Sequence, residues 1–310
     1  MSQKLIHGIL ENDHGSIAKA ITLIENNQIS SSSLSKIYSY TSKSIRIGIT
    51  GPPGAGKSTL TNNLMETFLA NKKTVGVIAV DPTSPFTGGS LLGDRIRMNK
   101  YTWNDQVFIR SVGNNGDLGG LSRKSQEIGD VLAASGKDII IYETVGVGQG
   151  EHDIVNTADI CIVVLVPESG DEIQLMKAGL IEIADIFVVN KSDRDGANRL
   201  ASLLKNVLHS FNPKDKIEPP VFNTIATQSN GIVELFFGIQ NHLESMTQCG
   251  LLDRRRLDRY KKRVFDLVRE KLENTFWSND KIKILDQLTQ KLEQIKKAPN
   301  VIAKELLGKS

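Results

Sequence analysis

The sequence predicts an α/β fold: a doubly wound, mostly parallel sheet with helices ahead of it and a helical extension behind it. Three observations carry this expectation. From Ile45 onward, short runs rich in Val and Ile alternate with longer amphipathic stretches, the mark of parallel strands joined by crossover helices. A glycine-rich loop stands between the first such run and the helical stretch that follows it. After about Gly250 the pattern becomes a helical stripe in a strongly charged background.

At 310 residues the chain exceeds one average domain, so a main domain with smaller attachments is expected. The elements divide it into an amino-terminal helical segment over 1–44, the sheet domain over 45–248 and a carboxy-terminal helical arm over 249–310. Hydrophobic residues make up 39% and charged residues 24%, the balance of a soluble globular chain rather than a disordered or fibrous one. A formal charge of +3 is too small over this length to point to nucleic acid or anionic lipid as a partner. Cys161 sits in an apolar run and Cys249 stands alone, which suggests neither a disulfide framework nor a cysteine metal cluster and fits a reducing cytoplasm. The first residues carry Lys4, Glu11 and Asp13 with no long apolar stretch, so no signal peptide is expected. The longest apolar run, Ile160 to Pro167, is far short of a membrane span.

Taken in order, residues 3–27 place Ile6, Ile9, Leu10, Ile17, Ala20, Ile21 and Ile24 at helical spacing, interrupted at Asp13-His14-Gly15, which predicts two short helices. Ser30 to Ser35 reads as a loop or a helix start. The expected strands are 45–50, 74–80, 107–110, 139–142, 160–166, 186–189 and roughly 221–224. Leu257, Tyr260, Val264, Leu267, Val268, Leu272 and Phe276 form a helical stripe, a second helix carries Ile284, Leu285, Leu288, Leu292 and Ile295, and Pro299 is expected to end or kink it. The basic runs at 254–256 and 261–263 are interleaved with Asp253, Asp258 and Asp266 and read as a solvated or subunit-facing helix surface, not as a nucleic-acid site.

Gly51-Pro-Pro-Gly54-Ala55-Gly56-Lys57-Ser58 lies between the first strand and a helical run beginning at Thr59, the strand–loop–helix context of a phosphate-binding P-loop. Gly54 and Gly56 let the backbone of this segment, Ala55 included, wrap around phosphate oxygens. The helix amino terminus at Ser58 and Thr59 points N–H groups at them, Lys57 adds a full charge and Ser58 is a magnesium ligand. A nucleotide hydrolase also needs hard oxygen ligands and a segment that senses the γ-phosphate. Asp81, at a strand end, and Asp94, in the turn-rich stretch after it, are candidates for both, with helix capping as the alternative for Asp94. Glu143 is a second acidic strand end. It either holds magnesium through water or orients the attacking water, and the Gly146 amide after it could report the γ-phosphate. Val147 stands where Ras-like enzymes carry the water-orienting glutamine, and Gln149 is the nearest substitute.

Asn190-Lys191-Ser192-Asp193 directly follows the sixth strand. An aspartate accepts from the ring N–H and exocyclic amine of guanine, an edge adenine lacks, so adenine would leave a desolvated carboxylate unpaired. Lys191 can pack over the base, Asn190 can brace neighbouring loops, and Thr224, Ile225 and Ala226 after the last strand could offer backbone amides to the base oxygen. The motifs therefore select GTP and GDP, with Mg2+, over ATP.

These residues resemble the methylmalonyl-CoA mutase-associated GTPases, the MeaB/ArgK group of the SIMIBI class. The likeness extends beyond the P-loop to 81–98, to 143–151, to the amino-terminal 18–25 and to Arg254-Arg-Arg256. It implies Lys57 on the phosphates, Ser58 with Asp81 around magnesium, and Asp94 and Glu143 as catalytic or switch carboxylates. It also implies a homodimer held by the carboxy-terminal helices, and a GTPase that guards and assists an adenosylcobalamin-dependent methylmalonyl-CoA mutase. The segment 111–120 departs from the family in lacking a proline and an arginine, which puts any role of that arginine in doubt here. Two rival readings remain. An ATPase or kinase serving basic amino-acid transport is opposed by the Asn-Lys-Ser-Asp string, and a metal-insertion GTPase by scattered histidines, of which His152 between Glu151 and Asp153 forms the one tempting cluster.

Overall fold

Side chains alternate across a pleated strand, so which residues share a face decides how the sheet is covered. A computed structural model describes residues 3–41, 44–82, 101, 104–114, 120–144, 156–169, 180–211, 217–289 and 297–308. Among them the apolar runs form strands β1 (Ile45–Thr50), β2 (Val75–Pro82), β3 (Val107–Asn114), β4 (Ile139–Glu143), β5 (Ile160–Leu165), β6 (Ile186–Val189) and β7 (Val221–Asn223). They pair in the order β3-β2-β4-β1-β5-β6-β7, each pair parallel. β3 continues past the expected end at Arg110 through Ser111–Asn114, because these residues register against Ala79–Pro82 of β2 and Val112 is buried against the covering helices.

Ile47 and Ile49 of β1, Ile139 and Ile141 of β4, and Ile160, Ile162 and Val164 of β5 point to one face. That face packs on helix α4 (Lys57–Ala70), through Leu60, Leu64 and Phe68, and on a later helix, Ile232–Gln248, through Leu235, Phe236 and Ile239. The intervening residues point the other way. Ile140 and Tyr142 meet helix α5 (Gly120–Ala134) and the amino-terminal helices α1 (Gln3–Leu10), α2 (His14–Glu25) and α3 (Ser31–Tyr38). On the same face Val163 and Leu165 meet α7 (Ala197–Phe211), with Ile181 and Ile183 of the short helix α6 (Leu180–Ile183) packed against the same cluster. Asp13 caps α2 by accepting from Ser16 N at 2.8 Å, which explains the break between the first two helices. Ser30 caps α3 in the same way, so the serine run is a helix start rather than a loop.

The amino edge of the sheet is closed by ion pairs. Buried Arg46 donates to Asp130 at 2.6 Å, and its main-chain N–H donates to Asp159 at 3.0 Å. The helix after Ile232–Gln248, which is labelled α8, is α9 (Leu251–Phe276), and its first turns bring in two more arginines. Arg255 forms a bidentate pair with Asp185 at 2.6 and 2.8 Å, and Arg256 reaches Asp159 at 3.1 and 3.2 Å. The expectation of a solvated or subunit-facing basic run is therefore corrected at these two positions: the strand-starting carboxylates Asp159 and Asp185 are buried and claim them. Burial holds the imidazole of nearby His242, on α8, below its ordinary pKa.

The chain divides into two compact units, Met1–Arg256 and Leu257–Ser310. The second holds the rest of α9 with α10 (Asn279–Leu288) and α11 (Pro299–Leu307). Pro299 opens α11 at its first turn, where its missing N–H costs nothing, instead of ending a helix; Leu292 and Ile295 lie outside the described residues. Leu257, Tyr260, Val264, Val268 and Leu272 of the stripe are exposed on the single chain. No helix among the described residues is long and apolar enough to cross a membrane.

Candidate functional site

β1 ends at Thr50, and the chain turns at once through residues in left-handed conformations: Gly51 at φ +139°, Gly54 at +75° and Gly56 at +89°. Two of these glycines are also required for space. A Cβ on Gly51 would lie 2.0 Å from Val164 O of β5, and one on Gly56 would lie 2.4 Å from Asn190 Nδ2. α4 begins at Lys57, so the amides of its first turn, through Ser58 and Thr59, point to the carboxyl edge of the sheet between β1 and its neighbours, where the strand order reverses. Lys57 is buried, and its Nζ donates to Gly51 O at 2.8 Å and Pro52 O at 3.0 Å, so the ammonium already lies inside the loop that would enclose phosphate.

Ser58 Oγ donates to Glu143 Oε1 at 2.5 Å, from the start of α4 to the end of β4. A hydroxyl and a carboxylate in contact at a sheet edge are hard oxygen donors of the kind Mg2+ takes. Thr144, next along, donates to Thr50 Oγ1 at 2.9 Å and fixes the two strand ends together. The backbone of Asp81 lies two positions beyond Ala79, which registers against Glu143, so Asp81 is on the same edge. Asp94, Gly146, Gln149 and His152 lie outside the described residues.

The string Asn190–Asp193, expected to read the base, follows β6 on that same edge. Asn190 is buried and serves as its hub: Nδ2 donates to Ala55 O of the phosphate loop at 2.8 Å, while Oδ1 accepts from Thr224 Oγ1 at 3.0 Å and from Ala226 N at 3.1 Å. Lys191 takes a left-handed φ of +55°, and Ser192 N donates to Thr224 O at 3.0 Å. Asp193 is exposed at the tip of this turn. The next residue, Arg194, pairs with Glu168 after β5, and that hydrogen bond holds the Glu168 carboxyl below the usual carboxylate range.

The segment after β7, with Thr224, Ile225 and Ala226, reaches the same edge. The amides of Thr224, Ile225 and Ala226 are all engaged, by Val189 O at 2.9 Å, Asn230 O at 3.0 Å and Asn190 Oδ1 at 3.1 Å. In the 3-10 turn Ala226–Gln228, Gln228 N donates to Ile225 O, which leaves the Thr227 N–H as the donor without an acceptor among the described residues. Sequence reasoning also passed over α4. Its Asn63 Nδ2 donates to Ala226 O at 2.5 Å, and its Glu66 accepts from Tyr101 at 2.7 Å. No local signal marks either residue, since their partners are distant in sequence.

The whole arrangement is that of a nucleotide-binding P-loop domain, and comparison with known proteins agrees. Residues 17–281 match the family model described as methylmalonyl Co-A mutase-associated GTPase MeaB. A protein of Pyrococcus abyssi is 42% identical, with 99% of this chain and 98% of that one covered. The Escherichia coli GTPase ArgK is 34% identical over 89% of this chain and 86% of its own length. A crystal structure described as a LAO/AO transport system kinase superimposes with a TM-score of 0.75 at 25% identity, covering 99% of this chain and 98% of that one.

Proposed function

As this chain belongs to the methylmalonyl-CoA mutase-associated GTPase family and is a GTP hydrolase, we propose that it is a nucleotide-gated chaperone protecting an adenosylcobalamin-dependent methylmalonyl-CoA mutase. The observation that carries the nucleotide half of this reading is the Asn190 hub, which ties the phosphate loop at Ala55 to the base-reading segment at Thr224 and Ala226. A purine and its phosphates are thereby recognised by one connected frame. The client is the finer step, and it rests on the family description.

Within that frame Lys57 exchanges its loop carbonyls for phosphate oxygens, a stronger charge-assisted contact. Ser58 and Asp81 hold Mg2+, and Asp94 and Glu143 act as catalytic or switch carboxylates. The cation, when bound, neutralises charge developing on the β- and γ-phosphate oxygens. Asp193 accepts from the two guanine N–H groups. Gly54, Gly56 and Thr59 shape the cradle, and Lys191 covers the base. With Val147 in place of a water-orienting glutamine, intrinsic turnover is slow and rises when the client completes the site.

Calorimetry with GTP and ATP tests the selectivity: GTP binds more tightly, and tighter ATP binding would remove the reading. Turnover with and without the mutase tests the client, and an unchanged rate counts against it. The exposed stripe on α9 supports a homodimer. Light scattering of the full chain should give a dimer that truncation after Arg256, which keeps the amino-edge ion pairs, abolishes. Both cysteines are free thiols, which supports a cytoplasmic setting.

A further inference from the structure

Helix α4 serves the base-reading side of the site as well as the phosphate side. Asn63 lies on the helix that begins with Lys57, yet its amide bridges 163 positions of sequence to reach Ala226 O. The same residue is held from the other side, where Ala226 N donates to Asn190 Oδ1. Ala226 is thus clamped by two asparagine side chains through both of its main-chain polar atoms. On either side of the turn, Ile225 N and Asn230 O close a bridge, and Gly231, at φ +77° with no room for a Cβ beside Asn223 O, turns the chain into α8. These contacts fix the orientation of the turn, and within Ala226–Gln228 the Thr227 N–H is the main-chain donor that meets no acceptor among the described residues.

We propose that Asn63 is a positioning residue for guanine recognition: through the Ala226 carbonyl it sets the Ala226–Gln228 turn so that the Thr227 N–H meets the oxygen at position six of the base. This rests on the guanine reading given above. The chemistry supplies a second discriminator, independent of Asp193. Guanine presents an acceptor at position six, whereas adenine presents an amine there, and a donor facing a donor leaves both unpaired. A side-chain amide in mid-helix is suited to this task because it donates to a carbonyl without needing a charge, and α4 is anchored at its start by the phosphates.

The test is a thermodynamic cycle on the full-length chain. Affinities for GDP, 6-thio-GDP and ADP are measured by calorimetry for wild type, Asn63→Asp and Asn63→Ala. Asn63→Asp keeps the shape and replaces the donor with an acceptor facing a carbonyl, and Asn63→Ala is favourable to the helix and carries the test if the first variant does not fold. Sulfur is a weak acceptor, so 6-thio-GDP has already lost most of the position-six contact. GDP affinity is expected to fall about tenfold in the variants, and 6-thio-GDP affinity distinctly less, so the two losses are not additive. Equal losses for both nucleotides, with wild type still preferring GDP to ADP, would assign Asn63 a purely structural role and overturn the inference alone. Wild type binding ADP as tightly as GDP would remove the guanine reading, and the inference with it.

Discussion

The two edges of the sheet use their buried cations in opposite ways. At the amino edge the partners are far apart in the chain: Arg46 and Asp130 are separated by 84 positions, Arg255 and Asp185 by 70, Arg256 and Asp159 by 97. At the carboxyl edge Lys57 donates to carbonyls only six and five positions away, within its own loop. Removing an amino-edge partner strands a buried charge and loosens the fold, whereas the Lys57 contacts are local, so phosphate oxygens could replace them while Asn190 keeps its long-range hold on Ala55. One edge fixes the architecture, and the other holds its groups ready.

The largest effect should come from breaking the amino edge. Asp159→Ala leaves Arg256 and the Arg46 N–H without their carboxylate and should cost about 3–5 kcal/mol in urea unfolding, with KM for GTP little changed. A loss of stability matched by a loss of GTP affinity would erase the contrast. Next, Asp193→Asn should leave stability alone, since Asp193 is exposed, and swing preference from GTP towards XTP by about a hundredfold. Competition binding reads this directly, and retained GTP preference would count against the base-reading role.

The smallest effect sharpens the amino edge itself. Lys137 is buried there, its Nζ donates to Asp105 O at 2.8 Å, and burial pushes its pKa from 10.5 down to about 8. Between those two pH values the unfolded chain holds a proton that the folded chain has released, so stability should rise with pH across that window. The rise should amount to about 1–3 kcal/mol, and Lys137→Met should flatten it in melting curves recorded from pH 8 to 10.5. Below pH 8 both states are protonated and the cost of burying the charge is paid in full.

Much of the fold was legible because its signals are local. Val- and Ile-rich runs bounded by turn residues marked all seven strands, and the P-loop and Asn190–Asp193 were found by spacing alone. What sequence reasoning missed is what depends on contact at a distance. Asp159 and Asp185 look like ordinary loop acids until strand pairing brings them under α9, and Arg255 and Arg256 look solvated for the same reason. The partners of the 224–226 amides, Val189, Asn230 and Asn190, come together only once β6 and β7 pair. Asn63 had no neighbour in sequence to explain it.

The first turns of α4 also set a fixed distance. Ser58 meets Glu143, Asn63 meets Ala226 and Glu66 meets Tyr101, all from one rigid rod. One residue inserted between Ser58 and Asn63 would rotate everything beyond it by about 100°, swinging the amide and the carboxylate away from their targets while leaving the phosphate loop untouched. The interval between these side chains is as much a part of what holds α4 to its three partners as the side chains themselves, and a chain of this kind can tolerate changes of residue along that stretch far more readily than a change of length.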